Sequence, residues 1–220
     1  MGHPVQALLF DLDGTLIDSM PHHGKAWERW HAEHRLPFDH DRFFIETAGR
    51  TNSEVISQIL PDASPEDIAA LGEEKERFYR EAASRSLELI HGFEAFRREA
   101  RARGLKLAIC TAAPPENIAI ANARFGLDKL VDTTVSPADG LRGKPHPDIF
   151  LEAARRLGIA PEACIVFEDA PLGVEAARRA GMRAVALTTS LQAAEFQSFD
   201  NLLAAIPDFT AFDLSTALQS

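Results

Sequence analysis

Cysteine is nearly absent from this chain, with two residues in 220, Cys110 and Cys164. Each stands at one end of an apolar run, so no disulfide framework can be built, and a reducing cytoplasm is the compartment such usage fits. Long apolar runs are missing too. No stretch nears the roughly 18 residues that a membrane-spanning helix needs. The first apolar run is cut at Asp11 with no basic segment before it, which leaves no readable signal peptide. Gln6 stands where a myristoylation signal at Gly2 wants Ser or Thr. Basic excess is also absent: 23 Lys and Arg against 33 Asp and Glu give a formal charge of −10. That balance argues against nucleic acid or an anionic membrane as partner, yet it leaves room for a small anion held by a few local cations. There is no internal repeat and no low-complexity tract, and nothing demands more than a monomer.

The composition that remains is ordinary for a globular protein, 45% apolar and 25% charged, in a chain long enough to bury a real core. Its organising stretch is Ala7-Leu8-Leu9-Phe10-Asp11-Leu12-Asp13-Gly14-Thr15. Four apolar residues bounded by glycine read as a strand buried on both faces, the kind found in parallel sheets. Side chains two apart on an extended segment point the same way, so Asp11 and Asp13 leave the strand's carboxyl end together, where open α/β sheets bind ligands. Two bare carboxylates at about 4 Å repel by roughly 4 kcal/mol at an effective dielectric near 20, so a cation or a shared proton is expected. The plain alternative is a solvated strand-to-loop turn.

Between Pro21 and Leu89 the periods are helical. His22 to His34 places Trp27 and Trp30 on one face, Thr51 to Leu60 repeats the pattern, and Ser64-Pro65-Glu66-Asp67 supplies a cap, a first-turn proline and first-turn acids. The helix begun there is expected to run past Tyr79, with a break near Gly72. From Leu105 onward short β-rich runs (105–110, 131–135, 164–167, 184–187) alternate with amphipathic stretches (93–103, 116–125, 148–157, 172–180). Such alternation means crossover units and a parallel sheet. The expectation is a Rossmann-like, doubly wound α/β core made of residues 1–17 and 90–220, with an all-helical cap inserted at 18–89. Beyond Gln192 the sequence suggests only a helix or two.

Three later strand ends carry polar groups. Thr111, followed by Ala112-Ala113-Pro114-Pro115 and a helix, offers a hydroxyl and free amides as an anion cradle, or else a local cap. Lys144, set in Gly143-Lys144-Pro145-His146-Pro147, is a point charge between residues that forbid regular helix, or else a solvated lysine. Glu168-Asp169 is a second acidic pair at a strand end, or else a helix cap facing a dipole. His22, His23, His31, His34 and His40 could also be combined into a metal site, although no compact ligand spacing supports one.

Taken together, Asp11-Leu12-Asp13-Gly14-Thr15, Thr111, Gly143-Lys144-Pro145 and Glu168-Asp169 resemble, in order, the four motifs of the haloacid dehalogenase superfamily. Gly143 to Phe150 and Phe167-Glu168-Asp169-Ala170-Pro171-Leu172-Gly173 are similar to its β-phosphoglucomutase-like and sugar-phosphate phosphatase branch. The resemblance implies Asp11 as the nucleophile that takes a phosphoryl group. It implies Asp13 as general acid and then base, with its pKa raised by neighbouring acids so that it holds a proton. It further implies Mg2+ bound by Asp11, Asp169, the Asp13 carbonyl and Glu168 (directly or through water), with Lys144, Thr111 and the amides after Asp11 answering phosphoryl charge, and Ala112 on the substrate side.

In the cap, His23 with Trp27, and Lys75 with Tyr79, match substrate-side residues of β-phosphoglucomutases. For Lys75, set among Glu73, Glu74 and Glu76, an ordinary solvated helix face is the competing reading. Gly49-Arg50-Thr51-Asn52 departs from that pattern: Asn52 stands where a mutase has the arginine that grips the non-reacting phosphate, and Arg50 is the nearest guanidinium. The expected activity is therefore Mg2+-dependent hydrolysis of a small phosphomonoester, with sugar phosphates foremost. The alternatives are a β-phosphoglucomutase and a non-catalytic protein that binds a phosphorylated ligand.

Overall fold

The structure is a computed structural model that describes residues 4–47 and 50–219. Gly2 and Gly49 lie outside them. Ala7–Phe10 forms β1, buried along its whole length. It sits inside a six-stranded parallel sheet of order β3-β2-β1-β4-β5-β6. The other strands are β2 (Lys106–Cys110), β3 (Thr133–Val135), β4 (Cys164–Glu168), β5 (Arg183–Leu187) and β6 (Leu202–Ile206). This is the Rossmann-like, doubly wound arrangement, and its order reverses between β1 and β4, where such sheets open a ligand crevice.

Strand β6 was not expected. Leu202-Leu203-Ala204-Ala205-Ile206 holds a single β-branched residue and forms the sheet's half-exposed edge, so neither propensity nor burial marks it.

Alternation along β1 divides the core. Ala7 and Leu9 face α7 (Asp148–Leu157) and α8 (Pro171–Arg179) on one side. Leu8 and Phe10 face α5 (Phe93–Ala102) and the C-terminal α9 (Leu214–Gln219) on the other. Phe10 stacks on Phe167 at 5.0 Å and meets Phe93 edge-on at 5.7 Å. The first turn of α6 (Pro115–Phe125) follows the end of β2.

Four helices lie between β1 and α5: α1 (Met20–Glu33), α2 (His40–Thr47), α3 (Asn52–Ile59) and α4 (Pro65–Ala83). Helix α3 begins with a reciprocal Thr51–Glu54 capping box, and α4 begins with Ser64 accepting from the Asp67 N–H, followed by Pro65. Trp30 is fully buried between α1 and α4 and donates to the Leu71 carbonyl at 3.2 Å. Its burial contributes on the order of 3 kcal/mol. The expected break at Gly72 does not occur. A Cβ there would rest 3.6 Å from the Asn52 Cβ and 3.8 Å from Ile56, so the residue marks where α3 and α4 approach, not where α4 stops.

The chain leaves and re-enters the α/β core side by side. The Asp18 N–H donates to the Glu88 carbonyl at 2.8 Å, and the Ile90 N–H to Leu16 at 2.9 Å. Among the described residues, no helix is long and apolar enough to cross a membrane.

Candidate active site

Parallel pairing sets the site. The Asp11 N–H donates to the Phe167 carbonyl at 3.0 Å, which locks the end of β1 to the end of β4 and so to Glu168 and Asp169. Lys144, from the loop between β3 and α7, donates to Asp11 Oδ1 at 2.5 Å and also to Glu168 Oε1. The other Glu168 oxygen, Oε2, accepts from the Asp169 and Ala170 amides at 2.9 and 3.0 Å. Thr111 is buried, and its Oγ1 accepts from the Ala113 N–H at 2.9 Å in a local turn; it does not cap α6, whose N-cap is Pro114, and the hydroxyl and Ala112 line the cleft.

Sequence reasoning missed the contributions of Ser190 and Gly173. Ser190 donates to Asp169 Oδ2. It follows β5, so the strand-end argument carried one strand further would have found it. At Gly173 a Cβ would collide with the Glu168 carboxyl, and at Gly14, with φ +70°, it would collide with that of Asp169. Both glycines are cradles for acids.

The charges are unequal. Burial raises Asp11, Lys144 opposes that and Glu168 adds to it, leaving its pKa at about 7. Asp169 is pushed well above the usual range by burial, Glu168 and Asp11. Lys144 is held charged, because Asp11 and Glu168 outweigh its burial. Asp13 corrects an expectation. Burial raises its pKa too, but the His23 imidazole beside it wins, and the carboxyl is held below its ordinary value.

Three buried acids around one lysine are thus short of positive charge, and their oxygens are the hard donors that Mg2+ prefers, so the residues fit such an ion. Asp11, Asp13, Glu168 and Asp169 all line one cleft. Among the described residues, however, no three such side chains already close on a common point. Glu168, with both oxygens engaged, is better placed to hold Lys144 than to ligate directly.

The helices between β1 and α5 cover this crevice. The cleft between them and the strand ends has a volume of about 560 Å³. His23 Nε2 lies 3.5 Å from Asp13 Oδ1, and its Nδ1 lies 2.7 Å from the Lys75 ammonium. A lysine ammonium only donates, so Nδ1 accepts and Nε2–H points at Asp13. Tyr79 stacks on the imidazole at 3.9 Å. Lys75 is 3% exposed, which rules out the solvated-face reading, and it also donates to Glu76 Oε1 at 2.8 Å.

Asn52 donates to the same Glu76 oxygen at 2.6 Å, and Asn117, from α6, donates to Oε2 at 2.6 Å. Neither Glu76 nor Asn117 was singled out in the sequence. Arg50 borders the cleft, but its guanidinium donates to Gln58 at 2.5 Å and to the Glu54 carbonyl. Among the described residues no metal site forms from the other histidines: His22 pairs with Ser86, His31 with the Trp27 carbonyl and His34 with Glu74. The His40 side chain lies outside the description.

A model of the haloacid dehalogenase-like hydrolases matches residues 5–181. The validoxylamine A 7'-phosphate phosphatase of Streptomyces hygroscopicus subsp. limoneus is 32% identical, over 89% of this chain and 91% of its own. Hexitol phosphatase A of Escherichia coli is 30% identical, over 93% of each. Among solved structures, a haloacid dehalogenase hydrolase of family IA, variant 3, from Entamoeba histolytica superposes with a TM-score of 0.90 at 28% identity, covering 98% of both chains.

Proposed function

The chain belongs to the haloacid dehalogenase-like hydrolases and is a phosphoric monoester hydrolase, and from that premise we propose that it hydrolyses a sugar or polyol monophosphate through an aspartyl-phosphate on Asp11, with Mg2+ as cofactor. The observation that carries this reading is Asp11 beside Glu168 and Asp169 at the β1/β4 reversal, with Lys144 bridging Asp11 and Glu168. Asp11 Oδ1 faces Lys144, so the second oxygen is the one that attacks phosphorus. Lys144 and Thr111 meet the charge that spreads over the phosphoryl oxygens. Mg2+, held by Asp11, Asp169 and the Asp13 carbonyl, would supply the positive charge that keeps both carboxyls ionised and draws electrons from the phosphoryl oxygen.

Asp13 works with His23. The Nε2–H passes its proton to Asp13, and through it to the leaving oxygen, as the Lys75 ammonium replaces it at Nδ1; Asp13, ionised again, then takes a proton from the attacking water and returns it along the same relay. Residues 18–89 act as the cap that selects the substrate. Asn52 faces Glu76 rather than a phosphate, which favours hydrolysis over mutase chemistry.

The test is phosphate release from sugar and polyol monophosphates by the purified protein, with and without Mg2+, alongside conversion of β-glucose 1-phosphate. Release should need Mg2+ and should fall about 10^4-fold or more in Asp11→Asn. Substantial Mg2+-dependent release by that variant, or isomerisation outrunning hydrolysis, defeats the reading.

A further inference from the structure

The hydrogen that His23 offers to Asp13 depends on a charge two groups away. Nδ1 of His23 faces the Lys75 Nζ at 2.7 Å, and an ammonium there can only donate, so the ring's own hydrogen is on Nε2, 3.5 Å from Asp13 Oδ1. Tyr79 holds the ring in that line, stacking on it 5° from parallel while its hydroxyl donates to the same Asp13 oxygen at 3.5 Å. A neutral amine at Lys75 would accept as well as donate. Nδ1 would then be free to carry the hydrogen, and a bare Nε2 lone pair would face the carboxylate.

Lys75 stands where an ammonium needs a counter-charge. It is 3% exposed, and its Nζ lies 5.3 Å from the centre of the Trp27 ring and 5.9 Å from that of Tyr79, faces that attract a cation but replace little of the water it has lost. Burial draws its pKa below the ordinary lysine value; the charge and hydrogen bond of Glu76 are the chief opposing influence, and the charge of Asp13 is a lesser one. Among the described residues, Glu76 is the one carboxylate within ion-pair distance of this ammonium, at 2.8 Å. Asn52 on α3 donates to the same Glu76 oxygen and Asn117 on α6 to the other, each at 2.6 Å, so the carboxylate is held in place from both sides.

We infer that Glu76 is a positioning residue for the acid–base step: its charge keeps Lys75 an ammonium, the ammonium fixes the His23 tautomer, and that tautomer lets Asp13 serve the leaving oxygen. This rests on the phosphatase reading and adds to it a residue that acts only through two others. The proton count closes. One proton goes from Nε2 through Asp13 to the leaving oxygen, Lys75 refills Nδ1 and is left a neutral amine beside Glu76, and the proton taken from water returns it to the ammonium.

The test uses the wild type, Glu76→Gln and Glu76→Met, the last filling a similar volume in case the glutamine variant folds poorly. Nitrogen NMR of isotope-labelled histidine, with the His23 signals identified by their loss in His23→Gln, reads the tautomer directly. The wild type should show a bare Nδ1 and a protonated Nε2, and both variants should show a population with the hydrogen on Nδ1. In parallel, kcat/KM is measured for sorbitol 6-phosphate, phenyl phosphate and p-nitrophenyl phosphate. The two aryl esters share a shape, but nitrophenolate leaves without a proton and phenolate is helped by one. The variants should lose about 100-fold on sorbitol 6-phosphate, the low end of what general acid catalysis contributes, and the ratio of phenyl to nitrophenyl ester should fall about tenfold. Loosened packing or weaker binding would lower both aryl esters alike. The tautomer is read without turnover, so a shift in the spectrum with no hydrolysis of any ester would defeat the phosphatase reading and not the link from Glu76 to His23. A wild-type His23 protonated at Nδ1, a tautomer unmoved in both variants, or an aryl ratio unmoved in both would overturn the inference.

Discussion

Glu168 and Gly173 share one volume. The Glu168 carboxyl lies where a side chain at position 173 would start, and it is tied there by Lys144 and two backbone amides. In Gly173→Ala the flexible glutamate can swing away, so the cost is the bonds it abandons. A buried acid left without its donors costs about 1–3 kcal/mol. Lys144 then loses one of its two partners, and a misplacement of about 1 Å at the chemistry lowers turnover by about 100-fold. Thermal melts and kcat/KM for Gly173→Ala check both effects, and wild-type turnover would remove Glu168 from the machinery. The acids were legible in the sequence because they follow strand ends, and Lys144 because Gly143 and Pro145 set it in a rigid loop. The task of Gly173 was not legible, because it depends on the direction in which a side chain five residues earlier is held. Asn117 was invisible for a similar reason: its partner Glu76 lies 41 residues away on another helix.

Helices α4 and α6 meet through that pair, with Arg80 donating to the Asn117 side-chain Oδ1 at 3.4 Å. Burial raises the Glu76 pKa, but Lys75, His23 and Asn52 outweigh it and hold the value at about 2. Its stabilising effect is therefore present above the unfolded value near 4.5 and fades as pH falls toward 2. Asn117→Ala removes the only donor from α6 described on this carboxylate and should cost about 1–3 kcal/mol. Because the loss lies between α4 and α6 at the border of the cleft, KM should rise more than kcat falls. Denaturant melts and steady-state kinetics check this, and an unchanged KM would mean that α6 does not help seat the cap. Elements were legible where local chemistry repeats the fold's demand: Ser64-Pro65 starts α4, and Gly126 and Gly158 end α6 and α7 with φ of 63° and 70°. They were not legible where tertiary contact decides, as at Gly72 inside α4 and at edge strand β6.

Across the whole molecule the formal charge is −10, and its buried expression lies at Asp11 and Asp169. Both carboxyls have folded-state pKa values above their unfolded ones, so in the window from 3.8 to about 7 the folded form binds more protons and Asp11 costs stability as pH rises. His22 and His31 act in the opposite sense. Burial lowers their pKa values, so they contribute stability as pH rises toward 6.5. The raw dependence of stability on pH therefore mixes both signs, and the informative quantity is the increment from a divalent cation. Mg2+ must compete with protons for Asp11 at pH 5 but far less at pH 8. At about 100 times its dissociation constant a ligand of the folded state alone adds about 2.7 kcal/mol. In a chain of this length that moves the melting midpoint by about 5–10 °C. Melts at pH 5 and pH 8, each in chelator and in Mg2+, should show the larger upward shift at pH 8, and Asp11→Asn should shrink it. An equal shift at both pH values would mean that the ion binds elsewhere, and the charge deficit at the end of β1 would need another occupant.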